Sequence, residues 1–186
     1  VLDLDDDGVE LVSLNASSVK FKVQPGGEPT RTGWVGADDA LLALDRDGDG
    51  LITNGAEISF IADLPGAKSD LEGLAAFDTD RDGYFDSGDV RFSEFYVWQD
   101  ANQDGVSQTS ELSSLEDHGI EAIRLARTLT GGKPSATDNV ILATSEYVRS
   151  DGTRGEVGDV SLAFEDRSVT AIIGRYAPNV PGSVIA

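Results

Sequence analysis

The sequence predicts an α+β fold in which short helices surround acidic, glycine-rich loops and pack against small antiparallel β-hairpins. Three observations point there. Gly supplies 21 of the 186 residues, a density that marks many turns and structured loops. Apolar residues make up 39% of the chain, lean but enough for one core. The apolar runs are short, and their period switches between the alternation of strands and the spacing of helices.

Taken in order, Glu10–Leu14 and Val19–Val23 alternate and predict two strands within residues 9–23. Gln24–Pro29 is a loop. Asp38 or Asp39 is placed to cap a short helix carrying Ala40–Leu44. Ser69 and Glu72 have capping-box spacing and open a helix running to Phe77. Phe92, Phe95 and Tyr96 give Val90–Trp98 a helical spacing that runs into an extended end. Glu111–Asp117 reads as a short helix stopped by Gly119, and Ile120–Leu125 as a strand. Gly131–Pro134 is a loop. Residues 140–164 form a β-hairpin about the Asp-Gly turn of Ser150–Thr153. Residues 1–164 are thus one module, and 165–186 a linker or loose tail.

Charge narrows the function. Thirty-four acids against 14 bases give a formal net charge of −20, a field that repels itself unless cations neutralise it. Nucleic acid and anionic membrane surfaces are poor partners for such a field, and neither is expected. No stretch approaches the ~18 apolar residues of a membrane span, so insertion is not expected. The chain lacks Cys and Met and has one His, His118. That removes disulfides, thiolate zinc sites and His-based triads, and leaves His118 as a partner for a helix C-terminus. Trp34 and Trp98 sit among apolar residues and read as core. The chain is expected to be monomeric.

The acids are not spread evenly. Calcium takes about 6–8 oxygen ligands, which an EF-hand-type loop presents from positions 1, 3, 5, 7, 9 and 12, with Gly at 6 for the sharp turn. Asp78, Asp80, Asp82, Gly83, Tyr84 (through its backbone carbonyl), Asp86 and Asp89 occupy positions 1, 3, 5, 6, 7, 9 and 12 of loop 78–89, with Phe85 as an apolar plug at position 8. Loop 100–111 matches with Asp100, Asn102, Asp104, Val106, Gln108 and Glu111, but Ser107 replaces the plug. Loop 45–57 offers Asp45, Asp47, Asp49 and Leu51, with Ile52 as plug and its acid, Glu57, one residue late. Asp3, Asp5 and Asp7 open a fourth loop, in which Leu14 holds position 12. Its closing acid must come from elsewhere, and Glu10, Asp38 or Asp39 could serve.

One such run can be a plain solvated turn. Four runs, three followed by an acid near position 12, favour specific cation sites. Magnesium prefers compact octahedral geometry and keeps its waters, so Ca²⁺ is the expected ion, and the predicted fold becomes α+β with short helices around EF-hand-like calcium loops. The uneven starts at 3, 45, 78 and 100 exclude a repeat solenoid. The absence of Met argues against a calmodulin-type sensor.

The order of these motifs resembles a known family. Leu2–Gly8, Gly33–Asp39, Leu44–Gly50 with Asn54–Glu57, and above all Val97–Gln108 with Glu111–Leu112 resemble the calcium-dependent self-processing module of bacterial RTX (repeats-in-toxin, haemolysin-type) proteins. The likeness covers about residues 1–125, with a weaker echo to Phe164. It implies a module of a large protein, secreted or displayed at the cell surface by a bacterial type I system. Calcium-driven folding of such a module cuts an Asp-Pro bond just upstream of the first loop. The Asp side chain attacks its own backbone carbonyl, the proline nitrogen leaves as an amine, and a cyclic anhydride remains. Water opens the anhydride, or a lysine amine captures it as an isopeptide. The partners implied are calcium ions and the upstream segment of the same chain.

This sequence contains no Asp-Pro step. Its prolines follow Gln24, Glu28, Leu64, Lys133, Ala177 and Val180, so no residue here is assigned as catalytic. Asp6 also stands where the family more often has Gly, and residues 58–70 depart from the family pattern. The alternative expectation is a non-catalytic structural or adhesin calcium module that rigidifies a surface protein.

Overall fold

The computed structural model describes residues 1–134 and 138–165. Four two-residue strands begin the chain: β1 (Leu11–Val12), β2 (Lys20–Phe21), β3 (Thr30–Arg31) and β4 (Trp34–Val35). β1 pairs antiparallel with β4, and β2 with β3. β5 (Leu41–Leu44) follows, then a helix α1 (Asp70–Leu74) and β6 (Tyr84–Asp86). β7 (Phe95–Trp98) and β8 (Leu112–Ser114) flank loop 100–111 and join β5 in a sheet ordered β5-β7-β8.

β9 (Ile120–Arg124), β10 (Thr128–Pro134), β11 (Val140–Arg149) and β12 (Arg154–Ser161) complete the fold. β11 is its spine. β12 pairs along one edge from Val140 to Val148. The other edge therefore takes β10 near Val140–Thr144 and β9 at Tyr147–Arg149. β6 extends this sheet beyond β9, with Phe85 opposite Ile123.

The α+β expectation is overturned. The regular secondary structure among the described residues is mostly β-strand, with one five-residue α-helix and three short 3-10 turns at Gly55–Glu57, Phe92–Glu94 and Glu116–His118. Ala40–Leu44, expected as helix, contains β5, whose four residues are all buried. A short apolar run carries no period of its own, and a strand covered on both faces accepts it as readily as a helix does. The helix expected over Glu111–Asp117 is β8 followed by a 3-10 turn, with Gly119 left-handed at its end. The loop expected at Gly131–Pro134 lies within β10. Segments this short cannot offset the cost of nucleating an α-helix, so pairing with a neighbouring strand decides. The helix opened by Ser69 does form, over Asp70–Leu74 and short of the expected end at Phe77, and the Ser69 side chain accepts the Glu72 backbone N–H at 3.4 Å.

The strands expected at Glu10–Leu14, Val19–Val23 and Ile120–Leu125 contain β1, β2 and β9. The hairpin turns at the expected Asp151-Gly152. Residues 166–186, expected as linker or tail, lie outside the described residues, while Glu165 donates its N–H to the Arg31 carbonyl at 2.9 Å.

Two apolar clusters support the loops. One stacks Phe60, Phe77, Phe85, Phe92 and Phe95 with Leu2, Leu44 and Ile123. The other packs Phe21 on Trp34 and Trp98, ring centres 5.2–5.7 Å apart, together with Ile52. A cleft of about 790 Å³ opens beside Val1, with Asp70 and Asp159 among its lining residues.

Candidate metal centres

All four acidic loops share one backbone construction. The first Asp anchors each by accepting two N–H groups from the turn it starts. Asp3 holds Asp6 and Gly8 at 2.8 and 3.0 Å. Asp45 holds Gly48 and Gly50 at 2.7 and 2.8 Å, and Asp78 holds Arg81 and Gly83 at 2.7 and 3.1 Å. Asp100 holds Asp104 and Gly105 at 3.1 and 2.8 Å.

The next side chains continue the pattern in the last three loops. Asp47, Asp80 and Asn102 accept the N–H two residues on, at 2.9–3.2 Å. Asp49, Asp82 and Asp104 do the same toward Leu51, Tyr84 and Val106, each at 2.8 Å. These bonds turn the side-chain oxygens toward the inside of each loop and are the mechanism by which Asp and Asn initiate turns.

Backbone torsions repeat as well. Position 4 is left-handed in every loop: Asp6 at φ 69°, Gly48 at 78°, Arg81 at 64° and Gln103 at 59°. Gly8, Gly50, Gly83 and Gly105 at position 6 have φ between 69° and 105°.

Carboxylate oxygens converge in three places. One oxygen each from Asp3, Asp5 and Asp39 lies within 4.8 Å of the others, as do those of Asp45, Asp47 and Asp49, and of Asp78, Asp80 and Asp89. The structure thus brings together three acids of loop 45–57 and the first, second and closing acids of loop 78–89. It also adds Asp39 to the first loop, while Asp7 lies outside that trio. Asp82 is likewise outside its trio.

The remaining expected residues are placed around these groups. Glu57 is 1% exposed and accepts the N–H groups of Thr53, Asn54 and Arg46 at 2.7–3.2 Å. It stands as a brace across the loop instead of joining the Asp45 trio. Asp89 accepts Thr79 N–H at 2.5 Å and Asp86 N–H at 2.9 Å, so it braces its loop and joins its trio. In loop 100–111, Asn102 takes the place of an acid and forms no carboxylate trio. Asp100 is fully buried, with its Oδ2 accepting the Trp34 indole N–H at 2.8 Å. The Gln108 amide donates to Asp104 at 3.1 Å, and Glu111 accepts the Gln108 N–H at 3.4 Å. Leu51, Tyr84 and Val106 stand at position 7, where backbone carbonyls are available.

Ser107, the residue that seemed to lack a plug, bonds loop 100–111 to loop 45–57. Its hydroxyl accepts the Ile52 N–H at 2.7 Å and donates to the Ile52 carbonyl at 3.1 Å. Position 8 of one loop thus holds position 8 of the other, a partnership across 55 residues that neither loop reveals alone.

The electrostatics are those of crowded anions. Asp5 is raised by desolvation and then by the charges of Asp7 and Asp38. Asp80 is raised by desolvation and by Asp82, Asp89 and Asp86. Burial raises Asp39 to about 6, and a hydrogen bond with Asp38 plus its charge raises Glu10 to about 7. A bound cation would reverse each of these shifts. The donor set is entirely oxygen, which fits a hard cation and not a soft one.

No helix among the described residues is long and apolar enough to cross a membrane. Compared with known proteins, the chain is 39% identical over 170 residues to the iron-regulated protein FrpA of Neisseria meningitidis serogroup C, an alignment covering 89% of this chain. It spans 15% of that relative's length. The SPM domain family matches residues 1–163, and the chain belongs to it.

Proposed function

We propose that the chain is a calcium-binding module of a large secreted RTX-type protein, and that its fold is completed by Ca²⁺. The carrying observation is the fourfold repetition of one loop geometry, with carboxylate oxygens converging at three of the four loops, in the first with the help of Asp39. Ca²⁺ accepts many carboxylate and carbonyl oxygens at flexible geometry, whereas Mg²⁺ does not. Asp3, Asp5 and Asp7, Asp45, Asp47 and Asp49, Asp78, Asp80, Asp82 and Asp89, and Asp100, Asn102 and Asp104 are the side-chain donors. Leu51, Tyr84 and Val106 offer carbonyls, and Glu57 and Glu111 close their loops. Dissociation constants of about 10⁻⁴–10⁻³ M, usual for extracellular modules, suit a protein that stays open in a calcium-poor cytosol and folds outside.

In this reading the module supports cleavage of an Asp-Pro bond preceding Val1. Support comes from how firmly the chain's first residues are held. The Val1 nitrogen donates to the Gly158 carbonyl at 2.8 Å, and Leu2 bridges both Ala40 and Val157. Residues preceding Val1 would then emerge beside the cleft containing Asp70 and Asp159. The module's own task would be to position the upstream Asp and exclude water from it.

The test is a calcium titration followed by near-UV circular dichroism and native mass spectrometry. Cooperative ordering with three or four bound ions is expected, and a chain already ordered in excess chelator and binding no ion would overturn the proposal. A longer chain carrying an Asp-Pro step before Val1 should then be cut on calcium addition. Calcium-driven folding without cutting would leave a structural module that stiffens a surface protein.

A further inference from the structure

The first loop has only half an EF-hand pattern in sequence, and the fold supplies what it lacks. Asp39 lies 36 residues from Asp3, in the turn between β4 and β5. It is fully buried, as is Asp3 at 3% exposure, while Asp5 faces solvent. Asp39 Oδ2 accepts the Glu10 N–H at 2.7 Å. Its Oδ1, also buried, has no hydrogen-bond partner. A buried carboxylate oxygen without a donor is costly, and the groups that converge on the Asp39 carboxylate are two more carboxylates. The one cationic side chain at this loop, Arg149, is paired with Asp6 at 2.8 Å, outside the trio.

We infer that Asp3, Asp5 and Asp39 form a composite divalent-cation site that fastens the chain's first residues to the turn leading into β5. The inference rests on the calcium reading above and deepens it by naming a ligand outside all four loops. A hard divalent ion is the ligand class, because the donors are oxygens only and three negative charges need more than one positive charge to balance them. Backbone carbonyls and water complete its coordination.

Its structural consequence follows from the neighbours. Leu2 exchanges two backbone hydrogen bonds with Ala40, at 2.8 and 3.0 Å, one residue beyond Asp39. Asp3 N–H donates to the Glu156 carbonyl at 3.0 Å, and the Tyr147 hydroxyl donates to the Asp3 carbonyl at 2.6 Å. A cation bridging residues 3 and 39 closes the same junction from its polar side.

The experiment compares wild type with Asp39→Asn, Asp5→Asn and Asp89→Asn. Bound Ca²⁺ is counted by native mass spectrometry, and amide hydrogen exchange is followed over residues 2–8 in saturating Ca²⁺. Asp39→Asn and Asp5→Asn should each lose one ion and quicken exchange at residues 2–8 by about tenfold or more. Asp89→Asn should lose one ion from its own loop and leave residues 2–8 slow. Wild-type stoichiometry and slow exchange in both Asp39→Asn and Asp5→Asn would overturn the inference while leaving the calcium reading intact. If Asp39→Asn fails to fold, the exposed Asp5 carries the test, and wild type binding no Ca²⁺ would remove both.

Discussion

At the scale of single residues, three side chains occupy left-handed backbone that L-residues avoid. Asp6, Arg81 and Gln103 all stand at position 4 of an acidic loop, where loop 45–57 has Gly48. The left-handed conformation costs an L-residue roughly 1–2 kcal/mol, partly offset because Gly loses more entropy on folding. Arg81→Gly should therefore raise stability by about 0.5 kcal/mol in chemical denaturation with Ca²⁺ present. Gly83→Ala should lower it by about 1–2 kcal/mol. A Cβ at Gly83 meets no atom within 4 Å, so backbone strain alone carries that loss. Equal stability of Gly83→Ala and wild type would show that the loop relaxes elsewhere. The opening turns of these loops were legible in the sequence because the hydrogen bonds of each first Asp span five residues or fewer, from Asp78 to Arg81 and Gly83, for example. Asp39 was legible only as one of three possible closing acids. Its place beside Asp3 depends on a turn 36 residues along the chain, and local pattern carries no information about that distance.

At the scale of elements, the acidic loops are framed by strands. β7 and β8 bracket loop 100–111, β5 leads into loop 45–57, and α1 alone is a helix upstream of a loop. The expectation of helices rested on capping residues and on helical spacing in short apolar runs, signals too brief to outweigh strand pairing. Runs such as Leu41–Leu44 take their conformation from pairing, here with Phe95–Trp98. The Ser107–Ile52 contact does the work of an inter-loop strand pair, using a hydroxyl on one side. Ser107→Ala leaves the buried Ile52 N–H and carbonyl without these partners and should cost about 1–3 kcal/mol. It should also weaken cooperativity between the two loops, seen as a shallower calcium-binding curve in calorimetry. A variant that matches wild-type steepness would mean that the loops fill independently.

At the scale of the whole molecule, a net charge of −20 makes the arrangement of acids matter as much as their number. About half sit in the loops, where a cation can answer them, but Asp70 and Asp159 meet at the seam between α1 and β12. Asp159 accepts the Asp70 and Leu71 N–H groups at 3.3 and 3.0 Å. Asp70 Oδ1 accepts Ser59 Oγ–H and the N–H groups of Phe60 and Ile61 at 2.7–3.0 Å. Desolvation first, and the Asp159 charge second, raise Asp70 to about 6. The folded chain thus keeps a proton there that the unfolded chain has already released by about pH 4. As pH rises from about 4 to about 6, stability falls, and the penalty is complete above the folded value. Asp70→Asn preserves an acceptor and removes the ionisation. Relative to wild type it should gain on the order of 2 kcal/mol between pH 4.5 and pH 7.5, read by urea denaturation at both values. Comparing the two proteins at each pH cancels the opposite trend from the loop carboxylates, whose protonation at the acidic end would release any bound cation. A constant difference between them across that window would show that Asp70 is already ionised throughout, with its three donors outweighing burial and its neighbour's charge.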